Sequence, residues 1–212
     1  FHPLDSKECL HYSKRSKIDV HPQYAFLVTL FPIYNRETRQ IETGQINFFI
    51  FQKTLITIHN NNFHILSNFA HIFEVNHEMK LKFTDGSSER LLYEILNRLF
   101  LYCFPMIDHL ISDCDHIDDA IFSHREKEMI SEILIIRRNI TDFRKILQVH
   151  KNIIKKLTNY LKENTLFVMK KTDIYFESLV DYTKEIWDTL ENLKERIEAL
   201  QDSNESQISF KL

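Results

Sequence analysis

Residues 176–200 read FESLVDYTKEIWDTLENLKERIEAL. Apolar side chains recur through this stretch at alternating steps of three and four residues, interrupted only by Thr183, at Phe176, Leu179, Ile186, Leu190, Leu193, Ile197 and Leu200. A repeat of about 3.5 residues is typical of a helix that packs lengthwise against a partner. We therefore predict a protruding assembly helix whose apolar seam lies along another copy or another protein. The seam turns polar at Asn204 and Gln207.

Composition limits the class of protein. The chain has 212 residues, enough for a large domain with its own core, and two glycines and four prolines favour long helices over loop-rich or all-β structure. A net charge of −3 with intermixed signs argues against a nucleic-acid partner. No apolar run approaches the ~18 residues of a membrane span, and no signal peptide opens the chain, so we expect a soluble chain. Its cysteines lack metal-type spacing and are expected to be reduced thiols: Cys9, Cys103 and Cys114.

Three short apolar runs in the first third of the chain predict strands, at 24–31, 45–51 and 54–59. They follow one another too closely for parallel crossovers, so they should pair as an antiparallel meander. A short helix is expected after His2-Pro3, and an amphipathic helix from Phe63 to about Val75.

Everything after Ser88 is predicted to be helical. One apolar stripe runs from Leu91 to Ile117 and contains Pro105, which should kink the helix or leave one carbonyl without a donor. A second helix is expected from about residue 126 to 161, and a third from about Tyr175. A sheet followed by helices predicts an α+β fold, with an antiparallel or mixed sheet, flanking helices and long helices that include the protruding one.

The sequence contains no G-x-S-x-G, P-loop, H-E-x-x-H or G-x-G-x-x-G motif, and two glycines cannot build a phosphate-binding loop, so we expect no enzyme. Two histidine pairs at seven-residue spacing, His64 with His71 and His109 with His116, are read as solvated helix residues. The acidic run 113–119 has two interpretations that stay open: an exposed helix face, or a weak surface for a divalent cation or a basic partner.

Several segments, in order along the whole chain, resemble the cytoplasmic domain of CorA-type magnesium transporters: FHPL at 1–4, KRSKID at 14–19, YAFLV at 24–28, KTLITIH at 53–59, LLYEIL at 91–96, YCFPMID at 102–108 and RRNI at 137–140. The resemblance implies a funnel of five identical subunits, in which a stalk helix from each runs into a membrane pore. It also implies a place in the inner membrane for the full-length protein, with this portion on the cytoplasmic side. The first strands of the family's domain and the pore with its Gly-Met-Asn signature are missing from this sequence.

The resemblance divides the chain into a partial N-terminal α/β region at 1–88, a helical hairpin at 89–172 and a stalk helix at 173–212. It places Asp202 near the cytoplasmic mouth of the pore and the acidic run in the hairpin beside the stalk. The membrane would be reached through the missing C-terminal segment.

The same resemblance implies a regulatory magnesium, or other divalent cation, held between subunits by carboxylates. Glu8 matches one acidic member of the sensing pair, but the usual partner position is Ser178, so Glu177 or Asp181 would have to replace it. The predicted metal ligands are therefore Glu8, Glu177, Asp181 and Asp202.

Two acidic positions of a second site are occupied by Lys7 and Asn97. The alternatives are therefore weak or absent sensing, or another cation such as the zinc handled by relatives in the family. Without the resemblance, the seam would indicate a cytoplasmic coiled-coil scaffold. An apolar span encoded beyond Leu212 would favour the transporter, and a polar tail the scaffold.

Overall fold

The computed structural model describes residues 1–60, 63–76, 78, 87–165, 167 and 173–210. Its elements, in chain order, are α1 (Pro3–Glu8), β1 (Lys17–Val20), β2 (Ala25–Asn35), β3 (Gln40–Ile50), β4 (Leu55–His59), α2 (His64–Val75), α3 (Ser88–Phe122), α4 (Glu126–Leu147), α5 (His150–Glu163) and α6 (Asp173–Phe210). The predicted α+β class and the long C-terminal helix are confirmed. Residues 168–172 and 211–212, which the predicted hairpin and stalk include, lie outside the described residues.

The four strands form one antiparallel sheet in the order β1-β2-β3-β4. The predicted meander is confirmed, but β2 and β3 are longer than expected and pair as far as Asn35 with Gln40. Strand β1 was missed because its four residues alternate charged and apolar side chains, Lys17 and Asp19 with Ile18 and Val20. So short a run carries little strand signal without its partner.

The end of the β2–β3 hairpin is fixed to α4. Arg39, which has a φ of 56°, donates two hydrogen bonds to the Glu132 carboxylate, at 2.9 and 2.6 Å. The buried Asn139 side chain donates to the Arg39 carbonyl at 2.9 Å and accepts from the Ile41 N–H at 3.0 Å. These contacts satisfy backbone groups at the end of the hairpin and attach it to α4.

Helix α3 begins at a cap formed by Ser87, whose hydroxyl accepts from the Arg90 N–H at 3.4 Å. It continues through Pro105, so the proline costs one backbone donor but does not end the helix.

The prediction of one second helix to residue 161 is wrong, because the chain turns at Gln148 and Val149. The His150 ring that follows lies 5.0 Å from the Phe31 ring and 5.9 Å from the Phe100 ring. This packing directs α5 onto the sheet, where Lys156 donates to the Ile18 carbonyl at 3.1 Å.

The apolar seam of α6 is covered inside the chain. Its apolar members are all buried, and most have no exposed surface. They pack against α3, α4 and α5. Helix α6 is parallel to α3, since the Tyr93 ring lies 6.1 Å from the Phe176 ring and Arg196 lies 2.7 Å from Asp115.

Helix α6 is antiparallel to α4. Arg144 contacts Glu191, and Arg137 donates to Gln201 at 3.0 Å. The prediction that the seam lies along another copy or another protein is therefore wrong for this side of the helix. A repeat of about 3.5 residues shows that a helix packs lengthwise, but it does not show whether the partner belongs to the same chain.

Candidate functional site

The side of α6 opposite the seam carries exposed carboxylates. They follow helical spacing along almost the whole helix, and we call them the acidic side of α6: Glu177, Asp181, Glu185, Asp188, Glu195 and Asp202. Among the described residues none of the six forms an ion pair, whereas the neighbouring Glu191 and Glu198 contact Arg144 and Lys194. Three of the four predicted metal ligands therefore lie on one exposed surface.

Those three ligands are not close together. Glu177 and Asp181 border a groove between α5 and α6, and the other wall of that groove includes Lys155 and Lys162. Asp202 lies about 30 Å further along the helix, as judged from the rise of about 1.5 Å per residue. It lines a separate depression with Glu205 and Ser206.

Glu8, the fourth predicted ligand, is the last residue of α1 and is already engaged. The Ser13 hydroxyl donates to its carboxylate, and the Lys17 ammonium lies 3.3 Å from its other oxygen. The Ser13 hydrogen bond, helped by Lys17, holds the pKa of Glu8 below its usual value. Glu8 is therefore a stable anion at neutral pH, at the edge of a depression that also contains His11 and His21.

The structure does not bring Glu8 together with Glu177 or Asp181 in one chain. They line different depressions, and α5 lies against both β1 and α6. Within the described ranges, no group of three or more His, Cys, Asp and Glu residues is arranged to hold a metal ion. A site shared between two copies is not tested by one chain, so the predicted ligand set stays a prediction.

The acidic run on α3 binds α6. Asp115 and Asp118 lie 2.7 and 3.9 Å from the Arg196 guanidinium, which links the two helices. Asp113 points elsewhere, into a cleft of about 510 Å³ below the β2–β3 hairpin that Tyr34 and Tyr102 also line. Burial raises the pKa of Asp113. The run is therefore divided between a helix contact and a cleft, and sequence reasoning missed Arg196 as a partner.

Ser178, Asn97 and Lys7 occupy positions where the resemblance implies acidic ligands. Ser178 donates to the Tyr175 carbonyl at 2.6 Å, one turn back on α6. The Asn97 side-chain oxygen is buried and has no hydrogen-bond partner among the residues that the structure describes. Lys7 is exposed.

A family model described as CorA-like Mg2+ transporter protein matches residues 1–212. The chain belongs to this family. A curated relative, the cobalt/magnesium transport protein CorA of Thermotoga maritima, is 20% identical over 215 residues, covering 99% of this chain and 58% of the relative. The chain thus spans somewhat more than half the length of that relative. The resemblance found in the sequence is confirmed.

Solved structures of other proteins share the fold. The soluble domain of CorA from Methanocaldococcus jannaschii matches with a TM-score of 0.78 at 19% identity, over 91% of this chain and 74% of that one. The full-length CmaX protein matches at 0.79 and 14%, over 100% and 62%. The ZntB cytoplasmic domain from Vibrio parahaemolyticus RIMD 2210633 matches at 0.76 and 14%, over 99% and 80%. In the part of the chain described here, no helix combines the length and apolar character needed to cross a bilayer.

Proposed function

We propose that this chain is the cytoplasmic regulatory portion of a divalent-cation transporter for magnesium or cobalt. The observation that carries the proposal is the family match over residues 1–212. In this proposal five identical subunits surround the pore, and α6 of each leads towards the membrane segments. Membership of a transporter family supports this proposal over a scaffold or an enzyme.

The regulatory step follows from the exposed carboxylates. Carboxylates that face each other across two subunits repel, and a divalent cation between them converts the repulsion into attraction. Glu8 of one subunit and Glu177 or Asp181 of the next supply such groups. When the cation concentration falls, the ion leaves, the subunits separate slightly and the pore opens, which couples a binding site to a two-state assembly.

A zinc-transporting function is the second candidate. Lys7, Asn97 and Ser178 occupy positions where the resemblance implies carboxylates, so the hard-oxygen ligand set that magnesium requires is incomplete. The fold is also about as similar to the ZntB domain as to the CorA soluble domain. Titration with zinc in parallel with magnesium separates the two candidates.

Calorimetry of the chain with magnesium and cobalt tests the proposal. We expect saturable heat at roughly millimolar magnesium, in the range of weak carboxylate sites. Replacing one ligand, by Glu8→Gln or Asp181→Asn, should weaken binding about tenfold, because each removes a charged oxygen ligand. The matched control is Glu37→Gln, an exposed carboxylate in the β2–β3 turn, which should change nothing. Absence of saturable heat with magnesium and cobalt, or tight binding of zinc alone, contradicts the magnesium assignment.

A further inference from the structure

Basic side chains collect on the outer side of α4 and at the start of α5. We call this surface, whose members are all exposed, the basic side: Lys127, Arg138, Lys145 and Lys151. Between residues 137 and 162 the only acidic residue is Asp142, which lies 3.6 Å from Arg138. Two apolar side chains, Ile130 and Leu134, are 47% and 56% exposed on the same side of α4.

The basic side and the acidic side of α6 cannot neutralise each other within one chain. Helix α4 buries Ile140 and Phe143, and α6 buries Ile186 and Leu190, because the two helices pack against each other along these faces. Their exposed sides therefore point in different directions. No ion pair joins the two surfaces in the described residues, so one protomer carries two complementary charged surfaces on separate flanks.

The two surfaces also lie at the same height along the helix axes; two residues are called level when they share that height. Within the chain, Arg137 is level with Gln201 and Arg144 with Glu191. If copies are related by rotation about an axis parallel to these helices, neighbours keep this register. Lys145 of one copy is then level with Asn192 of the next, between Asp188 and Glu195. Arg138 is level with Ala199, between Glu195 and Asp202.

The apolar part of the basic side meets small residues in this register. Leu134 is level with Ser203, and Ile130 lies near Ser206, where the outer side of α6 carries short side chains that a leucine or isoleucine can approach closely. The basic side and the acidic side of α6 are therefore complementary both in charge and in side-chain size.

We propose that the basic side of one copy docks on the acidic side of α6 of the next copy. Such a contact joins two different surfaces, and repeated by rotation it closes into a ring. The inference rests on the assembly of identical subunits in the proposed function and identifies the surfaces that make it. Lys145, Lys151 and Arg138 neutralise Asp188, Glu195 and Asp202, and they leave Glu177 and Asp181 for the cation.

Charge reversal tests the inference, with self-association of the 212-residue chain measured by sedimentation velocity at low ionic strength in the presence of EDTA. The first variant combines Lys145→Glu with Lys151→Glu, and the second combines Asp188→Lys with Glu195→Lys. Each should raise the dissociation constant at least about tenfold, because like charges then face each other. The chain with all four changes should associate within about threefold of the native chain, because the charges are again complementary.

Matched controls carry the same charge changes elsewhere on exposed residues: Arg15→Glu with Lys53→Glu, and Glu37→Lys with Glu163→Lys. Both should associate like the native chain. The inference is overturned if either reversed pair associates normally, if the fourfold variant fails to recover although its thermal unfolding matches the native chain, or if the native chain does not associate at all. Because EDTA is present, these outcomes are independent of cation binding. If the chain shows no saturable heat with cations but the charge-reversal variants associate as expected, only the proposed regulation by a cation is contradicted.

Discussion

The Leu190→Ala variant is expected to unfold with a free energy lower than that of the native chain by about 3 kcal/mol. Leu190 lies in the middle of the α6 seam and has no exposed surface. Its neighbours on α6 are held against α4, where the Arg144 guanidinium lies 5.2 Å from the centre of the Trp187 ring and also contacts Glu191. Helices fixed at these points cannot close the cavity that the shorter side chain leaves, so both burial and packing are lost.

Urea unfolding at two protein concentrations measures this effect. The loss should be the same at both concentrations, because the seam packs against α3, α4 and α5 of its own chain. The matched control is Leu101→Ala on the exposed side of α3, which should cost less than about 0.5 kcal/mol. A loss that shrinks on dilution would show that the seam is filled by another copy, because that copy dissociates, and a loss below about 1 kcal/mol would show that the seam is not packed.

Acidification should destabilise the chain through His150. Its ring is fully buried between Phe31 and Phe100, and neither ring nitrogen makes a hydrogen bond of good geometry within the described residues. Burial lowers the pKa of His150 from 6.5 to about 4, although the nearby backbone of Leu30 and Leu147 offsets part of the effect. The unfolded chain therefore binds a proton that the folded chain excludes, and stability falls as the pH falls below 6.5.

The free energy of unfolding should decrease by roughly 1 kcal/mol from this group between about pH 7.5 and about pH 5.5, and by about 3 kcal/mol in total once the pH is below 4. Urea unfolding at several pH values measures the slope. The His150→Leu variant should lose this part of the slope, and His71→Leu, a change at an exposed histidine, should retain it. Equal slopes in the native chain and His150→Leu would show that His150 is accessible to protons in the folded chain.

The sequence predicted the long helices well and their partners poorly. Every apolar seam position from Phe176 to Leu200 is buried, as the spacing indicated, because period alone determines which side of a helix becomes apolar. The period carries no information about which chain supplies the other helices. The turn at Gln148 and Val149 could not be predicted from the sequence either, because no glycine or proline marks it. Its cause is the packing of His150 against rings that are distant in the sequence.

The candidate site was predictable only in part. Once the seam was known, Asp181 and Asp202 had to lie on the exposed side of α6. The ion pairs of Arg196 with Asp115 and Asp118 join residues about eighty positions apart, and no local pattern indicates them. Likewise, the engagement of Glu8 by Ser13 and Lys17 depends on how α1 folds back towards β1.

Cation flux into vesicles that contain the full encoded protein distinguishes a regulated transporter from any other role. We expect uptake of magnesium or cobalt that falls as magnesium on the side of the membrane carrying residues 1–212 rises through roughly the millimolar range, the range of weak carboxylate sites. Vesicles that pass no divalent cation, or whose uptake ignores magnesium on that side, would contradict the proposed function.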